Sequence, residues 1–589
     1  MMTHRPIATV DLAAENAAGR KATAIPPQIP SWFDDDSRPG GREARLAVLA
    51  RPGAALLGIA VAGICWWAGR SDLATAVLGV VALAAGFVVG IAALREVLSG
   101  SHGIIGVARA VVEEAVGTRL SVLLVMLVVV GLPVLPLVLD PAERLAYRLQ
   151  FFLDWSLSGA SVLLALISIA LCCSSVCGDI ESRRIHMALS KPLRRWEYLL
   201  GKWLGVVLLD LLLVILVGIG VYAFAQALRR SPANDSADRR AVEEQVLTAR
   251  GVARPIHPAR EAFDKSVEAA IEQIRRDDPT TFDKDPAGAR RRIVAQHVFE
   301  WHVVSADVVA SYLFTGLDSR RMESQVVQLR LQPFADNSKT SEAEVRFALW
   351  LNERPYPVKN GKHEDYVLST STVHTIELPT KAIAEDGTLR VTIANRNMVM
   401  PGESQPTSIG FNPGEGLEIL YRVGSFEGNF VRGQTIMWAK LAMLSAAALA
   451  AASWLGFPIA VLVSLMVFVT AVASGFLADA IDIYTGMDRA NPTWLSMVRL
   501  RAGLLLERLG KLELWEAAKT VGSYFADAFL TLIPSFGDYD AITQVATGRV
   551  VSAAEVMGGL LELGVFYPVL LIGLGWLLLE KRDLVSTAS

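Results

Sequence analysis

Seven stretches of the chain run apolar and free of charge for about the length a bilayer core demands. They are Pro52–Gly69, Leu73–Leu94, Leu120–Leu139, Trp155–Gly178, Leu211–Leu228, Leu441–Leu477 and Leu563–Leu579. A helix needs roughly 20 residues to cross the hydrocarbon. The sixth stretch is too long for one crossing. Gly456-Phe457-Pro458 interrupts it, and a helix rarely continues through such a break, so it reads as a helical hairpin. The pattern predicts a polytopic α-helical membrane protein with about eight transmembrane helices and both ends on one side.

Between these stretches the periodicity changes. Gly106–Thr118 repeats apolar residues at helical spacing, with Val107, Ala110, Val111 and Ala115 on one side and Arg109, Glu113 and Glu114 on the other. This reads as a helix lying on the membrane. Residues 229–430 contain no apolar run of spanning length and read as one large α+β insertion. Its part 237–303 is helix-like and charge-rich. Its part 318–430 alternates with a period of two: Val345, Phe347 and Leu349, then Leu389, Val391 and Ile393, with Val373–Leu378 and Leu417–Val423 similar. About five short strands bounded by Gly, Asn and Pro predict a β-sandwich-like unit. Residues 479–555 read as external interfacial helices, with Asn491–Gly510 amphipathic and Leu532–Ala541 rich in turns.

Basic residues orient the chain. Arg38, Arg42, Arg45 and Arg51 precede the first span, and Lys581 and Arg582 follow the last. Six more basic residues, Arg183, Arg184, Lys191, Arg194, Arg195 and Lys202, crowd the connection after Trp155–Gly178. Those segments are expected in the cytoplasm of a bacterium, with the chain in the inner membrane and the insertion extracytoplasmic. The basic residues of Ala478–Arg549 argue weakly the other way. The resulting division is a disordered cytoplasmic N-terminus (1–51), a transmembrane hairpin (52–95), a surface helix with three spans (104–228), the insertion (229–430), a second hairpin (431–478), the interfacial segment (479–555), a last span (556–580) and a cytoplasmic tail (581–589).

Composition adds three limits. Hydrophobic residues are 52% of the 589, far above a soluble domain. Net charge is −3, which gives no case for nucleic acid. The insertion carries 26 basic and 29 acidic residues, too balanced to steer a charged partner. Cys65, Cys172, Cys173 and Cys177 lie in apolar runs, where buried structural thiols are favoured over a soft-metal site. His297 and His302, with Glu300 between them, are five apart and do not stack on one helix face, so no metal site is expected. No phosphate-binding G-x-x-x-x-G-K-[ST] occurs, nor any protease or esterase motif.

The connection Gly178–Gly205 carries the most chemistry. Asp179 and Glu181 read as the start of a short helix, Ile185 gives it an apolar contact, and Lys191-Pro192 ends it. A positively charged anchor that only sets topology is the plainer reading. The stretch "DIESRRIHMALSKPLRRWEYLLGKWLG" nevertheless resembles the signature of ABC-2 type transporter permeases, in the branch that includes the permease of nitrous-oxide-reductase maturation. The matching positions are Asp179, Glu181, Ser190-Lys191-Pro192, Arg195 and Gly201-Lys202. "LIPSFGDYDAITQVATGRVVS" and the order of elements over 104–584 are similar too. The resemblance implies a coupling helix at 178–191 that docks a cytoplasmic ABC ATPase subunit, with Ser182 among its contacts. It also implies a second permease copy or sister permease, and ATP and magnesium held by the partner, with no cofactor in this chain. Asp210 and Glu562 are polar candidates inside the membrane, Asp210 as a structural partner of Lys202. A membrane-anchored binding or assembly module is the alternative function.

Overall fold

The computed structural model describes residues 56–100, 102–117, 119–182, 193–256, 260–277, 286–305, 308–317, 326–335, 344–359, 361–370, 372–398, 406–412, 416–485 and 534–581. Helices α1 (Leu56–Trp67) and α2 (Ser71–Val97) form the first hairpin. They are followed by α3 (Gly103–Gly117), α4 (Arg119–Val138), α5 (Leu145–Glu181) and α6 (Arg195–Arg229). The insertion holds α7 (Ser236–Ala241), α8 (Arg260–Asp277) and α9 (Pro286–Trp301). Then come α10 (Phe426–Trp454), α11 (Phe457–Thr485), α12 (Ala541–Ala546) and α13 (Ala553–Lys581), the last with a π-turn at Glu562–Phe566.

Among the described residues, six helices are long and apolar enough to cross a membrane: α2, α5, α6, α10, the 457–474 part of α11, and α13. Two shorter apolar helices, Leu56–Trp67 and Val125–Val138, stand where the other two spans are expected. Each apolar run thus has its helix, but the helices overrun the runs. α5 begins at Leu145 rather than Trp155, and α6 begins at Arg195, well before its apolar run at Leu211 but where a new helix is expected, near Arg194. α10 begins at Phe426, so the insertion closes at Ser425 rather than at 430. Apolar length reports the thickness of the lipid, while the hydrogen-bonded ladder continues into water until a cap stops it.

Three helices form the interior. The apolar cores of α5, α6 and α10 are 72%, 67% and 78% buried, against 17–22% for α2, α11 and α13. The outer helices therefore keep faces such as Val89, Leu462, Val469 and Val569 for lipid. α6 and α10 exchange indole hydrogen bonds: Trp203 Nε1 donates to Ala442 O at 2.9 Å, and Trp438 Nε1 to Val207 O at 3.0 Å. In a medium without water such polar groups must be satisfied by neighbouring protein.

The insertion is more strand-rich than its alternation suggests. A four-stranded antiparallel sheet runs in the order Thr248–Ala253, Leu417–Ser425, Val326–Leu331, His374–Pro379. A second sheet runs Tyr366–Ser369, Glu344–Leu351, Leu389–Asn395, Val309–Phe314, Pro255–Ile256, with Arg354–Tyr356 beside Glu344–Leu351. Both bury their inner faces in one core. Val345, Phe347, Leu349, Leu389, Val391 and Ile393 meet Leu329, Leu331 and Ile419 there, all fully buried. The expected alternation and the sandwich-like packing are both present. The "helical half" is corrected: α8 and α9 are helical, but Thr248–Ala253 and Pro255–Ile256 are strands of the sheets, and strands begin well before 318. "TARGVA" lacks an apolar period. It is a strand because Leu417–Ser425 offers it a ladder, a tertiary cause that no local pattern carries.

That first strand would be a bare edge. Backbone from beyond α12 covers it: Arg250 N donates to Gly548 O, and Val550 N to Arg250 O, both at 2.8 Å. Asn429 of α10 clamps the same segment, donating to Arg549 O at 2.7 Å and accepting from Val551 N at 2.7 Å. The segment read as interfacial helices thus includes, at 541–551, a part buried between the helix bundle and the sheet. Asn491–Gly510 lies outside the described residues, as do 1–51 and 582–589.

Candidate functional site

The connection after α5 is held from behind by a buried ion pair. Asp179 does not start a new helix. With Glu181 it forms the last turn of α5, which stays continuous from Leu145. Lys202, on the second turn of α6, is only 4% exposed. Its Nζ lies 2.8 Å from Asp179 Oδ2 and 3.7 Å from Glu114 Oε2 of α3. It also donates to Ser175 Oγ at 2.5 Å and stands 5.6 Å from the centre of the Tyr198 ring. Tyr198 Oη donates to Asp179 Oδ2 at 2.7 Å. Every polar atom of this knot comes from α3, α5 or α6, so it fastens the surface helix to the two helices flanking the connection.

Two glycines let the helices approach closely enough. A Cβ on Gly201 would stand 2.8 Å from Ile104 O, and one on Gly205 would stand 2.7 Å from Ala108 O. α3 therefore lies directly on the backbone of α6. Its buried residues are Ala108, Val111, Val112 and Ala115. Of the expected apolar side, Ala110 is instead exposed. Of the expected polar side, Arg109 and Glu113 pair at 3.1 Å on the surface, while Glu114 turns inward to Lys202.

These contacts sort the expected coupling residues. Asp179, Gly201 and Lys202 are internal. Arg195 is internal in function too: its Nη1 donates to Leu579 O at 2.7 Å and Glu580 O at 3.1 Å, closing the carbonyl end of α13. Glu181 and Ser182 are exposed, and Ser182 Oγ donates back to Gly178 O at 2.5 Å. Ile185, Ser190, Lys191 and Pro192 lie outside the described residues.

Asp210 is not the partner of Lys202, because Asp179 takes that place at the helix end. Asp210 accepts from Ser168 Oγ at 2.7 Å, is 0% exposed, and leaves Oδ2 without a partner among the described residues. Glu562, in the π-turn of α13, accepts from Tyr539 Oη at 2.6 Å. Burial, then the Glu562 carboxylate, push the Tyr539 phenol up to about 12. Cys173 Sγ lies 3.8 Å from Ser464 Oγ and Cys177 Sγ 3.6 Å from Leu455 O, so both pack toward α10 and α11. His297 and His302 each bond the carbonyl four residues back, Ile293 O and Val298 O.

Sequence reasoning missed Ser175, Tyr198 and Glu114. Ser175 and Asp179 are four apart, as are Tyr198 and Lys202, so each pair shares one helix face. That spacing was the available signal. Residues 122–238 match the family described as ABC-2 family transporter protein. No curated protein and no solved structure matches the chain. The matched segment contains α5, α6 and the connection between them. With the six helices of spanning length it supports a multi-pass membrane protein.

Proposed function

We propose that the chain is a permease that couples ATP hydrolysis by a separate cytoplasmic ATPase subunit to movement of a substrate across a bacterial inner membrane. The observation that carries this reading is the knot in which Lys202, Asp179 and Tyr198, inside the segment that matches the transporter family, meet Glu114 of the surface helix before it. Lys202 of α6 is spent on rigidity, joining α3, α5 and α6 directly behind the connection. A push received by the connection then moves helices rather than flexing a loop. The Ser-Lys-Pro sequence at 190–192 supports docking there and the branch that the resemblance named. The basic residues beside the connection support placing it in the cytoplasm and the insertion outside, with a second permease copy or a sister permease completing the complex. A test is co-purification with the ATPase subunit and the ATPase rate in the reconstituted complex. Replacing 183–192 with a Gly-Ser linker of equal length is expected to abolish both. A complex that forms and turns over with the linker would overturn the reading in favour of a membrane-anchored binding module.

A further inference from the structure

The insertion and the helix bundle enclose a cavity of about 730 Å³. Arg250, Arg330 and Arg549 line it, together with Tyr147 of α5, His374 and Thr375. These arginines come from two strands of one sheet that flank Leu417–Ser425, and from the segment that covers its edge. Arg330 and Arg549 converge on a shared carboxylate, and Arg250 lies beside them. Glu418 is 0% exposed, and its Oε2 accepts from Arg330 at 3.1 Å and Arg549 at 2.9 Å, while Arg254 reaches Oε1 at 3.5 Å.

One carboxylate thus serves three guanidinium groups, with a fourth, that of Arg250, beside them. Of the acidic residues lining the same cavity, Asp238 accepts from the first amides of α5 and Asp235 caps α7. Glu377 stands 3.9 Å from Arg240, and Glu244 is exposed. Arg250 is the least satisfied member. It is 8% exposed, donates from Nη1 to Gln328 Oε1 and from Nη2 to Thr547 O, both at 2.9 Å, and has a buried Nε without a partner among the described residues. Burial, with Arg330 and Arg549 beside it, pushes its guanidinium down to about 10, so it is still charged at neutral pH. A buried donor left unmet beside uncompensated positive charge is a common mark of a missing anion.

We propose that this cavity binds a phosphate-bearing organic anion, gripped by Arg250, Arg330 and Arg549. A phosphate monoester offers three guanidinium forks three terminal oxygens and up to two negative charges, more than a carboxylate does, and suits bidentate arginine. The volume is that of a small-molecule site, so inorganic phosphate would leave most of it empty. Val373, Leu420 and the Tyr147 ring supply contacts for the body of the ligand. A water-soluble phosphate ester and the headgroup of an anionic phospholipid present the same chemistry.

The test uses the full chain in nanodiscs. In phosphatidylcholine discs, titration calorimetry with glycerol 3-phosphate reads the soluble source. In discs containing phosphatidylglycerol, native mass spectrometry reads lipid retained on the protein. Binding in either arm, weakened at least tenfold by Arg330→Gln and by Tyr147→Ala, supports the site and names its source. Tyr147 lies outside the Glu418 network, so it decides the matter if Arg330→Gln misfolds. No binding in both arms overturns the proposal, as does undiminished binding by the folded variants. Succinate binding as tightly as glycerol 3-phosphate overturns the assignment to phosphate.

Discussion

Two buried charge clusters stand where parts of the molecule join, and they are built on opposite principles. Around Lys202, one cation meets two carboxylates, a hydroxyl and an aromatic face, all from adjacent helices. Around Glu418, one carboxylate meets three arginines, from a strand, a link between strands and a distant loop, with Arg250 of a further strand beside them. The first is complete in itself. The second carries surplus charge and opens on a cavity. Buried charge is expensive unless paired, so the first reads as a fastening and the second as a fastening with capacity left over.

Removing the hub should hurt the second cluster most. Glu418→Ala strands Arg330 and Arg549 at the junction, and loss of one partner from a buried pair costs about 3–5 kcal/mol. Thermal unfolding of the full chain should shift down strongly, and no single further substitution should restore it. Lys202→Met should also destabilise, by about 3 kcal/mol, but here the double variant Asp179→Leu/Lys202→Met should recover most of the loss. Buried pairs exchanged for apolar side chains are often neutral. Failure of that rescue would mean the two clusters are alike after all.

A smaller effect is expected at Asp238, whose carboxylate sits where the insertion meets α5. Burial alone would raise it, but hydrogen bonds from the amides of Ala146, Leu145 and Asn234 and the charge of Arg144 outweigh burial and hold it below the ordinary carboxylate range. A depressed folded value means that its contribution is fully present above an ordinary carboxylate pKa of about 4 and is lost as pH falls through the folded value. Asp238→Asn should therefore lower stability at neutral pH and flatten the acid limb of the unfolding curve. An unchanged acid limb would remove Asp238 from the account. The smallest effect belongs to Glu181, which is exposed. Glu181→Lys should leave unfolding unchanged and weaken ATPase co-purification by no more than a surface pair is worth, about 0.2–1 kcal/mol.

The sequence carries these features unequally. The spans were legible because lipid demands an uninterrupted apolar length, and the inner faces of Glu344–Leu351 and Leu389–Asn395 because one-sided burial enforces alternation. Helix ends were not legible: α5 passes through Asp179 because nothing between Gly178 and Glu181 stops it, though the acidic pair looks like a beginning. Glu114 looked solvent-facing on its own helix wheel, and only the crossing of α3 over Gly201 and Gly205 turns it toward Lys202. The cluster at Glu418 was invisible because its members are scattered from Arg250 to Arg549 and meet only when the sheet and its edge strand form.

α5 runs from the Lys202 cluster to the wall of the cavity, which gives its length a mechanical meaning. Its 37 residues rise 1.5 Å each, a rod of about 55 Å, nearly twice the hydrocarbon thickness. One end is bolted to Lys202 through Asp179, and the other presents its first amides to Asp238 on the cavity wall. A rod pivoting about one end by 10° sweeps the other through about 10 Å at that length. A turn of α5 about its Asp179 end would thus be geared up, not damped, at the insertion. Spin labels at Ser182 and Arg144, each measured against α10, should change distance together when the ATPase subunit engages. Independent changes would mean that the shaft bends.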